Sequence, residues 1–364
     1  MSKARGLADL GNVYNDGALS NRNKVINGAM QVAQRGTSSA GFTTGGYYTI
    51  DRFKTNNDTM GTHTLTQAAD GPDGFTSSYK IEVTTADASP AAADNLGFDY
   101  RFEGQDLQLL KKGLASAESV TLSFWVKSST TGTYNLEFDH YDGSRHVVTD
   151  YTVDTAATWE YKTITFVGDT SGAITNSNAG AARLIWWLGA GTNFTSGTRA
   201  TSWATTVNAN KAVGNVNLAD TIGNYFQITG VQLEVGDTAT PFEHRSYGQE
   251  LALCQRYYHR LQGNASDQTE LGIGYAFGTS SVVIDYAYPT TMRSSPTISE
   301  SGVECLISGV SFAAASLNAT VDPSIHKVGV SFGADAGTPF TTNRVCKARL
   351  AIDATAFLAF DAEL

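Results

Sequence analysis

The sequence predicts an all-β protein, an antiparallel jelly-roll β-sandwich followed by a linking α-helix and a smaller C-terminal β domain. Three observations carry this expectation. Apolar residues alternate with polar ones through most of the chain, the period of half-buried strands. At least seven such runs precede residue 240 without an intervening helix long enough for a parallel crossover, which argues for antiparallel pairing. Only 16% of residues are charged, against about 25% in ordinary globular proteins, while Gly, Ser, Thr, Asn and Ala fill the gaps between apolar runs as turns do.

A chain of 364 residues is long enough for two cores. Residues 1–22 are polar and Gly/Asn-rich, with a sparse apolar pattern at Leu7, Leu10 and Val13, and read as a docking segment. Residues 23–245 hold the sandwich strands, among them YKIEVTT (79–85), SVTLSFWVKSS (119–129), TYNLEFDHY (133–141), WEYKTITFVG (159–168), ARLIWWLGAG (182–191) and YFQITGVQLEV (225–235). In the second of these, Val120, Leu122, Phe124 and Val126 share one face, and Thr121, Ser123, Trp125 and Lys127 the other. A short helical plug is expected at GQDLQLLKKGL (104–114), with Leu107, Leu110 and Leu114 on one stripe and Gly113 ending the turn. The linking helix is placed at 246–262, where Tyr247, Leu251, Cys254, Tyr258 and Leu261 form one stripe, Ser246 caps and Gly263 terminates. Residues 263–364 return to strand-like runs such as SVVIDYAY (281–288) and RVCKARLAI (344–352).

Charge and cysteine usage narrow the function classes. A net charge of −10, with Lys111–Lys112 as the longest basic run, leaves no concentrated basic surface for nucleic acid. Three widely spaced cysteines make neither a disulfide framework nor a Cys-x-x-Cys metal site, so buried thiols are expected. No early apolar run resembles a secretory signal and none approaches a membrane span, which predicts synthesis and folding in a cytoplasm without membrane insertion.

The densest set of reactive groups is QLEVGDTATPFEHRSYGQELALCQRYY (232–258), with Glu243, His244, Arg245, Glu250 and Cys254 close together. On a helix Cys254 and His259 stand about 140° apart around the axis, which prevents a nucleophile and base pair. Cys254 is expected to be buried, and Glu243 and Arg245 to bond to helix-end amides or neighbouring strands. In EFDHYDGSRHVV (137–148), a turn at Asp142–Gly143 pairs His140 with Arg145 and Asp139 with His146. The two histidines then face opposite sides, against a joint metal site. Asp-rich loops such as ADGPDGF (69–75) offer oxygen ligands for calcium but lack the full spacing of a calcium loop. No cofactor is expected; GIGYAFG (272–278) precedes a strand rather than a helix and makes no phosphate cradle. Trp186 and Trp187 must face opposite sides of a strand, and Trp203 sits in a Ser/Thr/Asn-rich loop. Exposed aromatics beside amides and hydroxyls suit sugar stacking, so all three are candidate glycan ligands, with Trp203 preferred.

Several stretches together resemble tailed-bacteriophage tail-fibre and related virion structural proteins: NRNKVINGAMQVAQRGTS (21–38) with YYTIDRF (47–53), SVTLSFWVKSSTTGTY (119–134) with TWEYKTITFVGD (158–169), and ITGVQLEVGDTATPFEHRSYGQELALCQRYY (228–258). The ending, YPTTMRSSPTISESG (288–302) and FLAFDAEL (357–364), is similar to the same proteins, and the middle looks like a carbohydrate-binding-module jelly roll. The resemblance implies a non-enzymatic virion appendage protein, commonly homotrimeric. Its N-terminal segment would dock on other tail or capsid proteins and its outer domain would meet a host-surface glycan. It marks NGAMQVAQRG and VQLEVGD as scaffold and brings no catalytic residues. The alternatives are a purely architectural adaptor or capsid decoration, and a capsule depolymerase, against which the lack of a short repeat of parallel β-helix type weighs.

Overall fold

The computed structural model describes residues 21–276, 278–279, 281–307, 310–321, 324–334 and 342–364; Leu7, Leu10 and Val13 lie outside them. The chain divides into two compact units, one running to Glu250 and one from Leu251 to Glu363. The fold is all-β, a curled antiparallel sandwich and a smaller C-terminal β unit.

Among the described residues eleven strands build the first unit: β1 (Ser38–Gly46), β2 (Phe53–Ala68), β3 (Ser78–Thr85), β4 (Asn95–Glu103), β5 (Val120–Ser128), β6 (Gly132–His140), β7 (Arg145–Val153), β8 (Glu160–Phe166), β9 (Gly180–Ala190), β10 (Ala204–Thr205) and β11 (Tyr225–Val235). They form one hydrogen-bonded path, β10-β7-β6-β9-β4-β2-β3-β11-β5-β8, with β1 on β2. The two halves of this sheet fold face to face. Phe124 of β5 meets Trp186 of β9 edge-on at 6.0 Å and Tyr151 of β7 at 5.2 Å. Phe98 of β4 stacks on Trp186 at 5.0 Å and also meets Phe226 of β11 at 5.9 Å. Val120, Leu122, Phe124 and Val126 all enter this core, as the alternation requires. Each fully buried large apolar side chain contributes about 1.5–3 kcal/mol by transfer from water.

The hairpin between β6 and β7 has the expected register, Asp139 opposite His146 and His140 opposite Arg145. The plug is a 3₁₀ helix, Gly104–Leu110, and is shorter than the sequence pattern suggests. Lys111 turns left-handed (φ 50°) and ends it before Gly113, so Leu107 and Leu110 are buried while Leu114 is 57% exposed.

The reactive stretch before residue 250 fastens the first residues of the sandwich. Glu243 accepts from the backbone amides of Asn21 (2.5 Å) and Asn23 (2.8 Å), and Glu250 from that of Asn27 (2.5 Å). Arg245 donates to the carbonyls of Asn23 and Val25. His244 packs with Phe75 and Phe242 at 5.3 and 4.9 Å. Asn27, itself left-handed (φ 62°), closes a loop by donating to the carbonyls of Val32 and Asp51 and accepting from the Val32 amide. Gly28 lies so close to β11 that a Cβ there would fall 2.1 Å from the Val231 carbonyl oxygen.

The linking helix α1 spans Tyr247–Gln255. Ser246 caps it reciprocally with Gln249: the Gln249 amide donates to the Ser246 hydroxyl (3.4 Å) and the Ser246 amide to the Gln249 side chain (3.1 Å). It stops well short of 262, since residues expected in its last turns form a strand instead, β12 (Tyr258–Gln262). Pairing explains the difference: Tyr258, His259 and Leu261 face Asp361, Phe360 and Leu358, and ladder bonds with β-favouring neighbours outweigh a helical spacing. Cys254 is fully buried, whereas Tyr247 is 57% exposed, so the supposed stripe is not one surface.

In the second unit β12, β15 (Thr297–Ser301) and β20 (Phe357–Asp361) form a three-stranded sheet. The strands β13 (Thr269–Ala276), β14 (Ser281–Ala287), β16 (Val303–Ile307), β17 (Val310–Val321), β18 (Lys327–Ala334) and β19 (Val345–Leu350) close a barrel in the order β13-β14-β18-β17-β16-β19. Val282, Ile284, Val330, Phe332, Cys305 and Cys346 are buried in one core. His259 stacks on Phe360 and Tyr286, and its Nε2 lies 2.7 Å from the Tyr286 hydroxyl; burial pushes its pKa down to about 4.

Candidate functional site

The outer face of β7, β6, β9, β4 and β2 carries polar residues in transverse rows. One row sets Lys54, Asp99, Ile185, Glu137 and Val148 side by side; the next sets Arg101, Arg183, Asp139 and His146. A third places Asn56, Gly97 and Trp187 together. Gly97 bears no side chain, and a Cβ there would meet the Trp186 carbonyl oxygen at 2.4 Å; the Asn56 amide beside it donates to Asp99 Oδ2 (3.3 Å). The chain from residue 191 to 217 folds over one side of this face and brings Phe194 to 5.3 Å from Trp187. Phe194 and Ala212 pack with Ile185 and Trp187 into a small apolar cluster of their own.

These elements enclose a cleft of about 190 Å³, walled by Trp187 and Phe194, with Asn56, Asn95, Arg183 and Lys211 at its polar positions. Pockets for drug-sized ligands run to about 300–1,000 Å³; this one suits a single ring.

Buried carboxylates hold the cleft in shape. Glu137, fully buried, accepts from the Trp187 indole (3.1 Å) and from His146 Nδ1 (2.8 Å). The Val207 amide donates to His146 Nε2 (3.4 Å), which leaves Nδ1 as the nitrogen that faces Glu137 as donor. Arg183 donates twice to Asp139 Oδ2, at 3.0 and 2.9 Å, and stands 3.5 Å from Asp99. Lys211, 7% exposed, lies 3.6 Å from Glu137.

The tryptophan candidates thus separate. Trp186 is fully buried in the sandwich core and presents nothing to a ligand. Trp187, on the opposite side of the same strand, forms a wall of the cleft. Trp203 packs against the core instead of standing free: its indole donates to the Val167 carbonyl (2.7 Å), Phe138 lies 5.5 Å away and the Lys112 ammonium sits 3.3 Å from its ring centroid. A cation so close occupies the face a sugar would need. Burial, only partly opposed by Asp169 and assisted by Arg145, lowers the Lys112 pKa to about 8. Asp70, in the Asp-rich loop, accepts from the Lys127 ammonium and the Trp159 indole. Among the described residues no group of three His, Cys, Asp or Glu could hold a metal ion. None of the helices among them is long and apolar enough to cross a membrane.

Asn56, Asn95, Phe194, Arg183 and Lys211 were not candidates by sequence. Arg183 was within reach, because the alternation that turns Trp187 outward turns Ile185 and Arg183 the same way. Lys211 and Phe194 gave no signal, since a loop's path over a sheet has no period.

No family model and no curated protein matches the chain. Solved structures similar to it include the enzymatically active domain of the bacteriophage CBA120 tailspike protein 4, at 13% identity and a TM-score of 0.30 over 59% of this chain and 21% of that one. The chain therefore matches about a fifth of the tailspike structure. Others are TmCBM61 in complex with beta-1,4-galactotriose (10% identity, TM-score 0.30, 59% of this chain and 100% of that one) and the family 22 carbohydrate binding module of Clostridium thermocellum Xyn10B (11%, 0.29, 61% and 100%).

Proposed function

We propose that the chain is a non-enzymatic virion structural protein of the tail-fibre type whose sandwich contributes to host attachment by binding a glycan in the Trp187 cleft. The observation that carries the binding is the row Asn56–Gly97–Trp187: the Trp187 indole, fixed in the cleft wall and 6% exposed, stands across side-chain-free Gly97 from Asn56, with Phe194 closing one side. An apolar platform with a few convergent polar groups is what a sugar ring needs, its C–H face stacking while its hydroxyls are hydrogen-bonded. Binding without hydrolysis is supported by the carboxylates of this face. Asp99, Glu137 and Asp139 are at most 2% exposed and held by arginine, histidine or indole donors, which leaves none placed to deliver a proton to a glycosidic oxygen. The virion assignment is supported by the stretches that resemble tail-fibre proteins, and three weak sites on a homotrimer would multiply into firm adhesion.

The experiment is a glycan array followed by calorimetry on the best ligand. Trp187→Ala is expected to weaken binding by about tenfold or more, the loss of one stacked aromatic contact, whereas Trp203→Ala leaves it within about twofold. Absence of any bound glycan would favour a purely architectural role. Light scattering that showed only monomers would remove the homotrimer, and imaging the chain on the whole particle tests the virion role.

A further inference from the structure

The charged residues that line the cleft are both cations, in a chain of net charge −10. The carboxylates nearby, Asp99, Glu137 and Asp139, lie beneath the lining and are at most 2% exposed. Arg183 is largely satisfied by Asp139. Lys211 is not: its ion pair with Glu137 measures 3.6 Å, well beyond the roughly 2.7–2.9 Å of a charge-assisted hydrogen bond. Both oxygens of Glu137 already accept, one from His146 and one from Trp187. An ammonium carries three donors, and burying it costs free energy unless they are matched. Lys54, half-buried one strand beyond Asp99 on the same face, forms no salt bridge among the described residues. Its pKa is lowered, first by burial and then by the Arg101 and Arg183 charges, against Asp99.

Building on the glycan reading, we infer that the cleft is made for an anionic saccharide, one whose carboxylate or sulfate meets the Lys211 ammonium while its ring lies against Trp187. The anion supplies the acceptor that Glu137 does not, and the aromatic walls exclude water from the pair, which strengthens it. A neutral sugar would leave the ammonium poorly matched. Such a site also explains how an acidic protein could engage an acidic polymer: the attraction is local, and long-range repulsion is screened at physiological salt.

The test is calorimetry with hexasaccharides of hyaluronan (carboxylate only), chondroitin 4-sulfate (carboxylate and sulfate), and cellulose and chitin (neutral), at low and high salt. The expected result is binding of an acidic ligand about tenfold or more tighter than of either neutral one, weakening as salt rises. Hyaluronan binding as well as the sulfated ligand assigns the carboxylate; a preference for the sulfated one assigns sulfate. Lys211→Met should abolish the acidic preference and Lys211→Arg restore it, with thermal unfolding confirming the fold. If Lys211→Met does not fold, Lys54→Gln is expected to reduce the preference in part. Neutral and acidic ligands bound equally, or an acidic preference kept by folded Lys211→Met, would overturn the inference while leaving glycan binding standing. Acidic binding untouched by Trp187→Ala would move the site and overturn it too. No saccharide bound at all would overturn both readings.

Discussion

Glu137 accepts from the Trp187 indole and from His146 while standing 3.6 Å from Lys211, so three side chains take their positions from one buried carboxylate. Glu137→Gln removes the charge and gives one oxygen the wrong hydrogen-bonding sense. It is expected to lower stability by about 2 kcal/mol, the scale of a lost buried charge-assisted bond, and to weaken glycan binding without touching the ligand; denaturant melts and calorimetry check both. His140 presents the opposite situation: it is fully buried and, among the described residues, neither ring nitrogen has a hydrogen-bond partner. Burial and the nearby Lys112 charge push its pKa down to about 4, from an ordinary 6.5. The unfolded chain therefore binds a proton between these values that the folded chain refuses, and stability falls as pH drops from 6.5 towards 4. His259, also near 4, adds to the same slope. His140→Leu is expected to flatten the stability profile over that window and to be more stable than wild type at pH 5, measured by urea melts across pH. These residues show what a sequence displays. The hairpin register around Asp142–Gly143 was legible, and with it the opposed faces of His140 and His146. That the Trp187 indole would donate to Glu137 was not, because it depends on β9 lying beside β6, a pairing that crosses 50 residues of chain.

Among the elements, strands were read well and helices were overextended. Period two survives any tertiary arrangement in which one face is buried, so β5 and β9 behave as their alternation requires. The stripe of residues 247–261 was instead a coincidence of two structures, a capped helix followed by the paired strand β12. Gly28 and Gly248 sit at contrasting places and respond oppositely to one substitution. Gly28→Ala would drive a Cβ against the Val231 carbonyl at 2.1 Å, and backbone on both sides must move; a loss of about 1–3 kcal/mol is expected. Gly248, in the first turn of α1, has nothing within 4 Å of its Cβ position, and Gly248→Ala is expected to gain about 0.5 kcal/mol through helix propensity. Thermal melts of the two variants beside wild type decide the signs.

At the scale of the molecule, each compact unit has its own buried cluster, aromatic-rich in the first and built around the barrel in the second. The cleft draws every wall from the first unit. A fragment of residues 21–255 is therefore expected to unfold cooperatively and to keep its Trp187-dependent affinity within about threefold, a domain of this size being able to bury its own core. A fragment that melts without cooperativity would show that the second unit is needed for folding.

Cys254, Cys305 and Cys346 are all fully buried, and Cys305, beside Cys346, has its ionisation held well above that of an exposed thiol. A maleimide dye added to the native protein can attach only when the surrounding structure opens, because the reactive thiolate must first reach solvent. Peptide mapping of the dye then times the opening of two places separately, the barrel through Cys305 and Cys346 and the end of α1 through Cys254. The chain thus carries three native clocks that need no engineering.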